Sequence, residues 1–295
     1  CLQGAAMAAL IVCARASVRD LYAPVEGMRA LSKGLTGLGL VALCAPVTGA
    51  LVVAYWSWHA AFIALGVYGL IMLFWVWANF TESLPERAPI AANAITKSAS
   101  LAVLKGPRFR AWTAMLVATY CTLFAFLLSS GFVYIKVFGF SPLACGLVLG
   151  SNSLAYIGGT YFCRNLLARM GPDGAARIGG VISLIGGLSM LAVALVSGPQ
   201  PWSMILGQWL IAIAHGVHQP CGQAGSVGDF PEHAGRAAAF SGFAMMLAAF
   251  FCGQFMAPSL GTSAWPLVLS NAIGSVCISI VAWVFGPWAY REQTT

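Results

Sequence analysis

Few residues of this chain have the chemistry to bind a proton within an apolar segment. The sequence holds 8 acidic residues, and each lies in a link or at the end of an apolar segment: Asp20, Glu26, Glu82, Glu86, Asp173, Asp229, Glu232 and Glu292. His215 and His218 instead lie inside a long apolar segment, three positions apart, so both rings share one helix face. Histidine titrates near neutral pH. The pair is therefore our candidate for proton binding.

Three interpretations of His215 and His218 stay open. The rings can hydrogen-bond to neighbouring helices and stabilise their packing. They can bind a proton or a substrate within a cavity, because an ionisable group inside a membrane is costly and suggests a function. They can also bind a metal ion, but no third ligand lies near them in sequence, and we expect no metal site.

Other polar and aromatic residues occur singly within the apolar segments, where they are candidates to line a cavity. An apolar cavity with a few polar groups suits small lipophilic molecules. With the two histidines, we predict the following residues to line it: Tyr120, Ser129, Ser130, Asn152, Tyr156, Gln208, Gln219 and Gln254.

The composition indicates which elements position these residues. Of the 295 residues 60% are hydrophobic and only 8% are charged, whereas soluble domains carry about 25% charged residues. Charge-free runs are long enough to cross a hydrocarbon core of ~30 Å, and in lipid such runs must be helices. We predict an all-α membrane protein with about nine transmembrane helices. The first span ends near residue 12. The other eight cover residues 35–55, 59–80, 111–135, 143–162, 178–196, 202–223, 237–256 and 265–285.

The basic residues predict the orientation of these spans. Successive links between the spans lie on opposite sides of the membrane. Of the 15 lysines and arginines, only Lys136 lies in the links of one side, and the others lie in the links of the opposite side or at the C-terminus. The positive-inside rule places the basic set, and hence the C-terminus, in the cytoplasm. Because the basic residues form no continuous stripe, we expect no nucleic-acid partner.

A short repeat predicts two similar halves. The segment Ser17-Val18-Arg19-Asp20-Leu21 is similar to Ser226-Val227-Gly228-Asp229-Phe230, and each follows an apolar span in a predicted cytoplasmic link. Repeats related by an axis along the membrane normal are common in transporters. The offset between the copies predicts about 100 further residues, with three spans, before Cys1. The chain would then carry spans four to twelve of a twelve-helix fold.

A longer link with three prolines divides the predicted spans into two bundles. We expect residues 1–81 to be the last three spans of the N-terminal bundle and residues 82–110 to be a cytoplasmic central loop. Residues 111–295 would form a six-span C-terminal bundle. Within the loop, residues 91–104 are predicted to form a short helix on the membrane surface.

Four local motifs resemble the major facilitator superfamily and, within it, the drug:proton antiporters of the Bcr/CflA group. They are Gln3-Gly4 with Ala14-Arg15 and Val18-Arg19-Asp20-Leu21-Tyr22, Cys44-Ala45-Pro46-Val47-Thr48-Gly49, Glu82-Ser83-Leu84-Pro85-Glu86, and Phe132-Val133-Tyr134-Ile135 with Gly139-Phe140-Ser141-Pro142. The resemblance implies drug or multidrug efflux by proton antiport across the inner membrane. It implies a small lipophilic substrate and no cofactor, and we expect a monomer in the bilayer.

The resemblance also implies roles for particular residues. Pro46, with Gly37 and Gly49, belongs to the antiporter motif, in which a bend and a tight helix contact limit leakage; an ordinary proline kink is the alternative. The coupling carboxylate of the family often lies in the first span, so we expect it to precede Cys1. The loop from Gly158 to Gly171 departs from the family pattern because it lacks an acidic residue.

Charged residues at the cytoplasmic span ends are candidates for a gate. Arg15 and Arg19 share a helix face, and Asp20 and Asp229 occupy matching positions in the repeat. An equally good interpretation is that these charges only fix the orientation of the spans in the membrane. Asp229 with Glu232 also fits a capping box at the start of the next span.

Two other functions stay open. A major-facilitator importer of a sugar or another metabolite would share the fold, although a carrier of charged nutrients should bury charges, and these spans hold almost none. A membrane-embedded enzyme needs a nucleophile, a base or a metal cluster at bilayer depth. Only the two histidines hint at one, so we expect no enzyme.

Overall fold

The structure is a computed structural model that describes residues 2–7, 9, 10, 21, 24–80, 97–230 and 233–286. These residues contain helices and turns and no strand. The chain divides into two compact units, Cys1–Ala94 and Ile95–Thr295. The prediction of an all-α fold is confirmed.

The first unit contains two long helices, α1 (Pro24–Tyr55) and α2 (Trp58–Asn79). Ser57 begins α2 as its N-cap, because its hydroxyl oxygen accepts a hydrogen bond from the Ala60 amide at 3.3 Å. No residue of α2 is buried. A helix this apolar with no buried side chain presents the surface expected of a membrane span.

The second unit holds the helices α3 (Lys97–Lys105), α4 (Pro107–Ser130), α5 (Pro142–Ser197), α6 (Pro201–Gly228), α7 (Ala234–Met256) and α8 (Trp265–Ile280). Two of them continue into π-helical segments, Gly131–Val137 after the first long helix and Val281–Phe285 after the last.

The helix α5 covers two predicted spans, and the link expected between them is helical. Its one break is at Gly171, where φ is 69° and ψ is −177°. Glycine adopts this backbone conformation readily, and Pro172 begins the next helical stretch because its fixed φ suits a first helical position. We call residues 142–170 α5a and residues 172–197 α5b.

Five helices of the described ranges are long and apolar enough to cross a membrane. By length and composition these are Trp58–Asn79, Pro107–Val137, Pro142–Ser197, Gly235–Ser259 and Trp265–Phe285. The part of α1 from Leu40 to Tyr55 is also apolar. The remaining long helix, α6, buries the polar residues Gln208, His215 and His218, which lower its hydropathy.

The helices α5 and α6 pack closely in the second unit. A Cβ atom added at Gly186 would lie 2.6 Å from the carbonyl oxygen of Gly207, and one added at Gly207 would lie 2.7 Å from that of Gly186. The two backbones are therefore in direct contact at this crossing. Small residues at such contacts are typical of helix pairs in membranes.

A short helix occurs inside the predicted central loop. It is α3, and Val103 on it is fully buried against Phe109 and Ala237. The structure describes this helix from Lys97 onwards, and residues 81–96, which include the start of the predicted stretch, lie outside the described part of the chain. Through Val103, α3 packs against other helices of the second unit.

Candidate functional site

The middle of α6 carries His215, which is buried with an exposed fraction of 3%. Its Nδ1 lies 2.9 Å from the hydroxyl oxygen of Thr119 on α4, within hydrogen-bond distance. The ring of Tyr156 on α5a lies 5.5 Å from the His215 ring, and the Tyr156 hydroxyl donates a hydrogen bond to Oε1 of Gln219. We call Thr119, Tyr156, His215 and Gln219 the polar cluster.

His218 contacts a different helix from His215, although the two are three positions apart. Its Nε2 lies 3.1 Å from the carbonyl oxygen of Ala176 on α5b. A carbonyl oxygen only accepts, so Nε2 carries the proton and Nδ1 does not. Nδ1 is buried without a hydrogen-bond partner among the described residues. A Cβ atom added at Gly179 would lie 2.5 Å from Nε2, so this glycine makes room for the ring.

The predicted cavity residues are spread over the unit and do not form one site. Tyr120 is half-buried and stacks on Phe124, with 6.3 Å between ring centroids. Asn152 is buried, and its Oδ1 has no partner among the described residues. The hydroxyls of Ser129 and Ser130 donate to carbonyl oxygens of their own helix. Gln254 is exposed.

Gln208 belongs to a second polar contact, which lies outside the polar cluster. Its Oε1 accepts a hydrogen bond of 2.8 Å from Nδ2 of Asn271 on α8, and both side chains are buried. Sequence reasoning missed Asn271, although a single amide within an apolar span is the signal that selected Asn152. Sequence reasoning also missed Thr119, because threonine is common in membrane helices as a residue bonded to its own backbone.

The antiporter-motif residues lie on α1 in the first unit. Pro46 lies inside this helix, and the Thr48 hydroxyl donates to the carbonyl oxygens of Cys44 at 3.0 Å and Ala45 at 3.2 Å. A Cβ atom added at Gly37 or Gly49 would meet no atom of the described residues within 4 Å. The tight helix contact at these glycines stays a prediction.

One gate candidate forms an ion pair. Asp229 Oδ1 lies 3.6 Å from Nη1 of Arg108, and the two side chains are 24% and 28% exposed. The pair joins the end of α6 to the start of α4. The N-cap of α7 is His233, so the capping-box interpretation of Asp229 is wrong. Arg15, Arg19 and Asp20 lie outside the described residues.

A cavity of ≈ 20 Å³ lies beside this ion pair, between Arg108, Trp112 and Asp173. This volume suits one water molecule. In the described ranges, no three His, Cys, Asp or Glu side chains are grouped so that they could hold a metal ion.

Residues 1–253 match the model of the Major Facilitator Superfamily. The chain belongs to this superfamily. The resemblance identified from the four sequence motifs is thereby confirmed, and the protein is a multi-pass membrane protein of this superfamily.

Three proteins with sequences similar to this chain illustrate the extent of the match. An uncharacterized MFS-type transporter of Bacillus subtilis is 25% identical over 202 residues, which cover 67% of this chain and 50% of the relative. A bicyclomycin resistance protein homolog of Haemophilus influenzae is 23% identical, covering 96% of this chain and 71% of the relative. A chloramphenicol resistance protein of Pseudomonas aeruginosa is 25% identical, covering 95% and 68%. The chain thus spans half the length of the first relative.

Proposed function

We propose that the whole protein exports small lipophilic, drug-like molecules across the inner membrane in exchange for protons. The observation that carries this proposal is the chemistry of the buried side chains. Among the described residues that are buried as a whole, the polar ones carry hydroxyls, amides or the two imidazole rings, and none is Asp, Glu, Lys or Arg. An apolar interior with a few neutral polar groups suits an uncharged lipophilic cargo. The names of two relatives, which refer to bicyclomycin and chloramphenicol resistance, support the same cargo class.

Within this function, the polar cluster would bind substrate or protons from the side of the C-terminal half. Gln219 accepts from Tyr156 through Oε1, so its amide N–H groups can donate to an acceptor on the cargo. His215 is the member of the cluster that can gain and lose a proton. His218, Asn152 and Tyr120 remain candidates for the same cavity.

The proposed transport cycle uses the predicted two-bundle organisation. Residues 1–81 would belong to the N-terminal half, residues 82–110 would connect the halves, and residues 111–295 would form the C-terminal half. The halves would rock about a central site, as a monomer with a cytoplasmic C-terminus. The ion pair of Arg108 and Asp229 would form part of a cytoplasmic gate, and Pro46 would limit leakage.

Drug accumulation tests this proposal. Cells that produce the whole protein should accumulate less of a lipophilic drug, such as chloramphenicol, than cells with an empty vector. A protonophore should abolish the difference, because it removes the proton gradient. Unchanged accumulation across a broad panel of lipophilic drugs would contradict efflux, and a protonophore-resistant difference would contradict proton coupling.

An importer of an uncharged solute such as a sugar is the second candidate. The buried amides of Asn152, Gln208 and Asn271 favour it, because amides donate to and accept from hydroxyl groups. Uptake of radiolabelled sugars into the same cells distinguishes the two functions. Uptake above the empty-vector level, with no effect on drug accumulation, would establish the importer.

A further inference from the structure

Arg177 and Trp283 form a cation–aromatic contact between two helices of the C-terminal unit. The guanidinium carbon of Arg177, on α5b, lies 5.6 Å from the centroid of the Trp283 ring. Trp283 lies in the π-helical segment Val281–Phe285 and is 52% exposed. The side chain of Arg177 is half-buried. The arginine is therefore packed against an aromatic ring that is itself open to the surroundings of the bundle.

The backbone contact beneath this pair fixes its geometry. The Ser279 hydroxyl donates a hydrogen bond of 3.0 Å to the carbonyl oxygen of Gly180. A Cβ atom added at Gly180 would lie only 3.3 Å from Cβ of Ala282. The two helices thus meet closely one turn away from Arg177, and the guanidinium is held by two elements rather than by one flexible chain.

Within the described ranges, no protein carboxylate pairs with this arginine. None lies within ion-pair distance of Arg177, and its Nε is buried without a hydrogen-bond partner there. Asp173 lies four positions earlier on the same helix, a spacing that allows an ion pair. It instead lines the small cavity with Arg108. The guanidinium therefore keeps its positive charge without a counter-ion from the described part of the chain.

We propose that Arg177 and Trp283 bind the phosphate headgroup of an anionic phospholipid. A guanidinium beside an aromatic ring can present its terminal N–H groups to a phosphate, which it binds through two parallel hydrogen bonds. Tryptophan is enriched at the level of the headgroups, and Arg177 follows Arg164 and Arg169 in the link that the sequence predicts to be cytoplasmic. Anionic lipids are attracted to such positions. The tryptophan would contact the lipid beside the headgroup.

Two other cation–aromatic contacts serve as matched controls. Arg164 lies 4.8 Å from the ring centroid of Tyr161, at the same end, but both residues belong to α5a and both are exposed. Lys136 lies 5.2 Å from the ring centroid of Phe132, in a link on the opposite side of the predicted topology. Each control carries one positive charge on an aromatic ring, and neither joins two helices.

Binding of phosphatidylglycerol to the purified chain tests the proposal. Native mass spectrometry in detergent would compare its affinity with that of phosphatidylcholine, for the unaltered chain and for Arg177→Gln, Arg164→Gln and Lys136→Gln. We expect the unaltered chain to prefer phosphatidylglycerol. Arg177→Gln should weaken its binding about five-fold, because the phosphate loses a charged partner that can bind it through two hydrogen bonds. The other two variants should retain it within about two-fold, because each removes only a screened cation outside the proposed site. Equal losses in all three variants, or an unchanged affinity of Arg177→Gln, would overturn the proposal.

Two further measurements distinguish a lipid headgroup from a free anion at this site. Trp283→Leu should weaken phosphatidylglycerol binding as Arg177→Gln does, whereas Trp283→Phe should retain most of it because the ring remains. Inorganic phosphate at millimolar concentration should not displace the lipid. Complete displacement by phosphate would assign the site to a free anion and overturn the lipid proposal. If Arg177→Gln does not fold, Arg177→Lys keeps the charge and loses the bidentate geometry, and it should bind the lipid more weakly than the unaltered chain.

Discussion

Nδ1 of His215 lies 2.9 Å from Oγ1 of Thr119, which joins the centre of α6 to α4. Both residues are buried, so water does not compete for this contact. Replacing Thr119 by valine keeps the shape and removes the hydroxyl. We expect Thr119→Val to lower the free energy of unfolding by about 1–3 kcal/mol, because a buried ring nitrogen loses its partner. Chemical denaturation in detergent micelles measures this quantity.

Thr122→Val is the matched control for that substitution. Thr122 lies one turn further along α4, is equally buried, and donates only to the carbonyl oxygen of Thr119 in its own helix. We expect its loss to change stability by less than about 1 kcal/mol. An equal effect of the two substitutions would show that the contact between Thr119 and His215 adds nothing to stability.

His215→Gln tests the transport role of the histidine. Glutamine retains hydrogen bonding but cannot bind a proton at physiological pH. We expect export of the drug by the whole protein to fall about ten-fold, corresponding to ~1.4 kcal/mol. The measurement is the initial rate of drug export from loaded cells. The control is His233→Gln, at the N-cap of α7, which should leave this rate unchanged. If His215→Gln also leaves the rate unchanged, His215 serves only in helix packing.

Gly159 and Gly158 form a matched pair for the packing of α5a on α6. A Cβ atom added at Gly159 would lie 2.8 Å from Cα of Ile213, whereas one added at Gly158 meets nothing within 4 Å. We expect Gly159→Ala to lower the unfolding free energy by about 1–3 kcal/mol through overpacking. Gly158→Ala should raise it by about 0.5–1 kcal/mol, because alanine favours the helix. Thermal unfolding of the two variants side by side decides this, and a stable Gly159→Ala variant would refute the contact.

Gly171→Ala tests the break in α5. Among the described residues, the added methyl group would meet no atom within 4 Å, so we expect any effect to come from the backbone, whose φ of 69° and ψ of −177° suit glycine. We expect a loss of about 1–3 kcal/mol. Gly242→Ala, at an open position of α7, is the control and should be neutral or stabilising. A neutral Gly171→Ala variant would mean that α5 does not need this conformation.

The ion pair of Arg108 and Asp229 is expected to contribute little to stability. Both groups are about a quarter exposed, and such pairs are worth about 0–1 kcal/mol. A double-mutant cycle with Arg108→Gln and Asp229→Asn measures their coupling. If the pair is part of a gate, exchanging the two residues should restore the transport that either single substitution reduces. Failure of the exchange to restore transport would contradict the gate.

The sequence was sufficient to predict where most helices lie, because charge-free runs of this length have few alternatives in a membrane protein. It failed at the link between residues 163 and 177, which its arginines and Pro172 made appear to be a loop. The structure keeps this link helical on both sides of Gly171, since charged residues also occur on helices that extend beyond the membrane.

The contacts of the candidate site were harder to predict than its members. Periodicity shows which face of α6 carries His215 but not which neighbouring helix meets that face. Thr119 lies 96 positions away in the sequence, and only the packing of α4 against α6 brings it close. For the same reason, the three-residue spacing of His215 and His218 did not reveal that they contact different helices.

The crossing at Gly186 and Gly207 limits which substitutions this protein can accept. Each glycine occupies the space that a side chain on the other would need, so a larger residue at either position forces the two helices apart. Substitutions that diversify this unit must therefore arise at positions that do not hold these two backbones together. The residues of α5b and α6 at this crossing are therefore expected to change together.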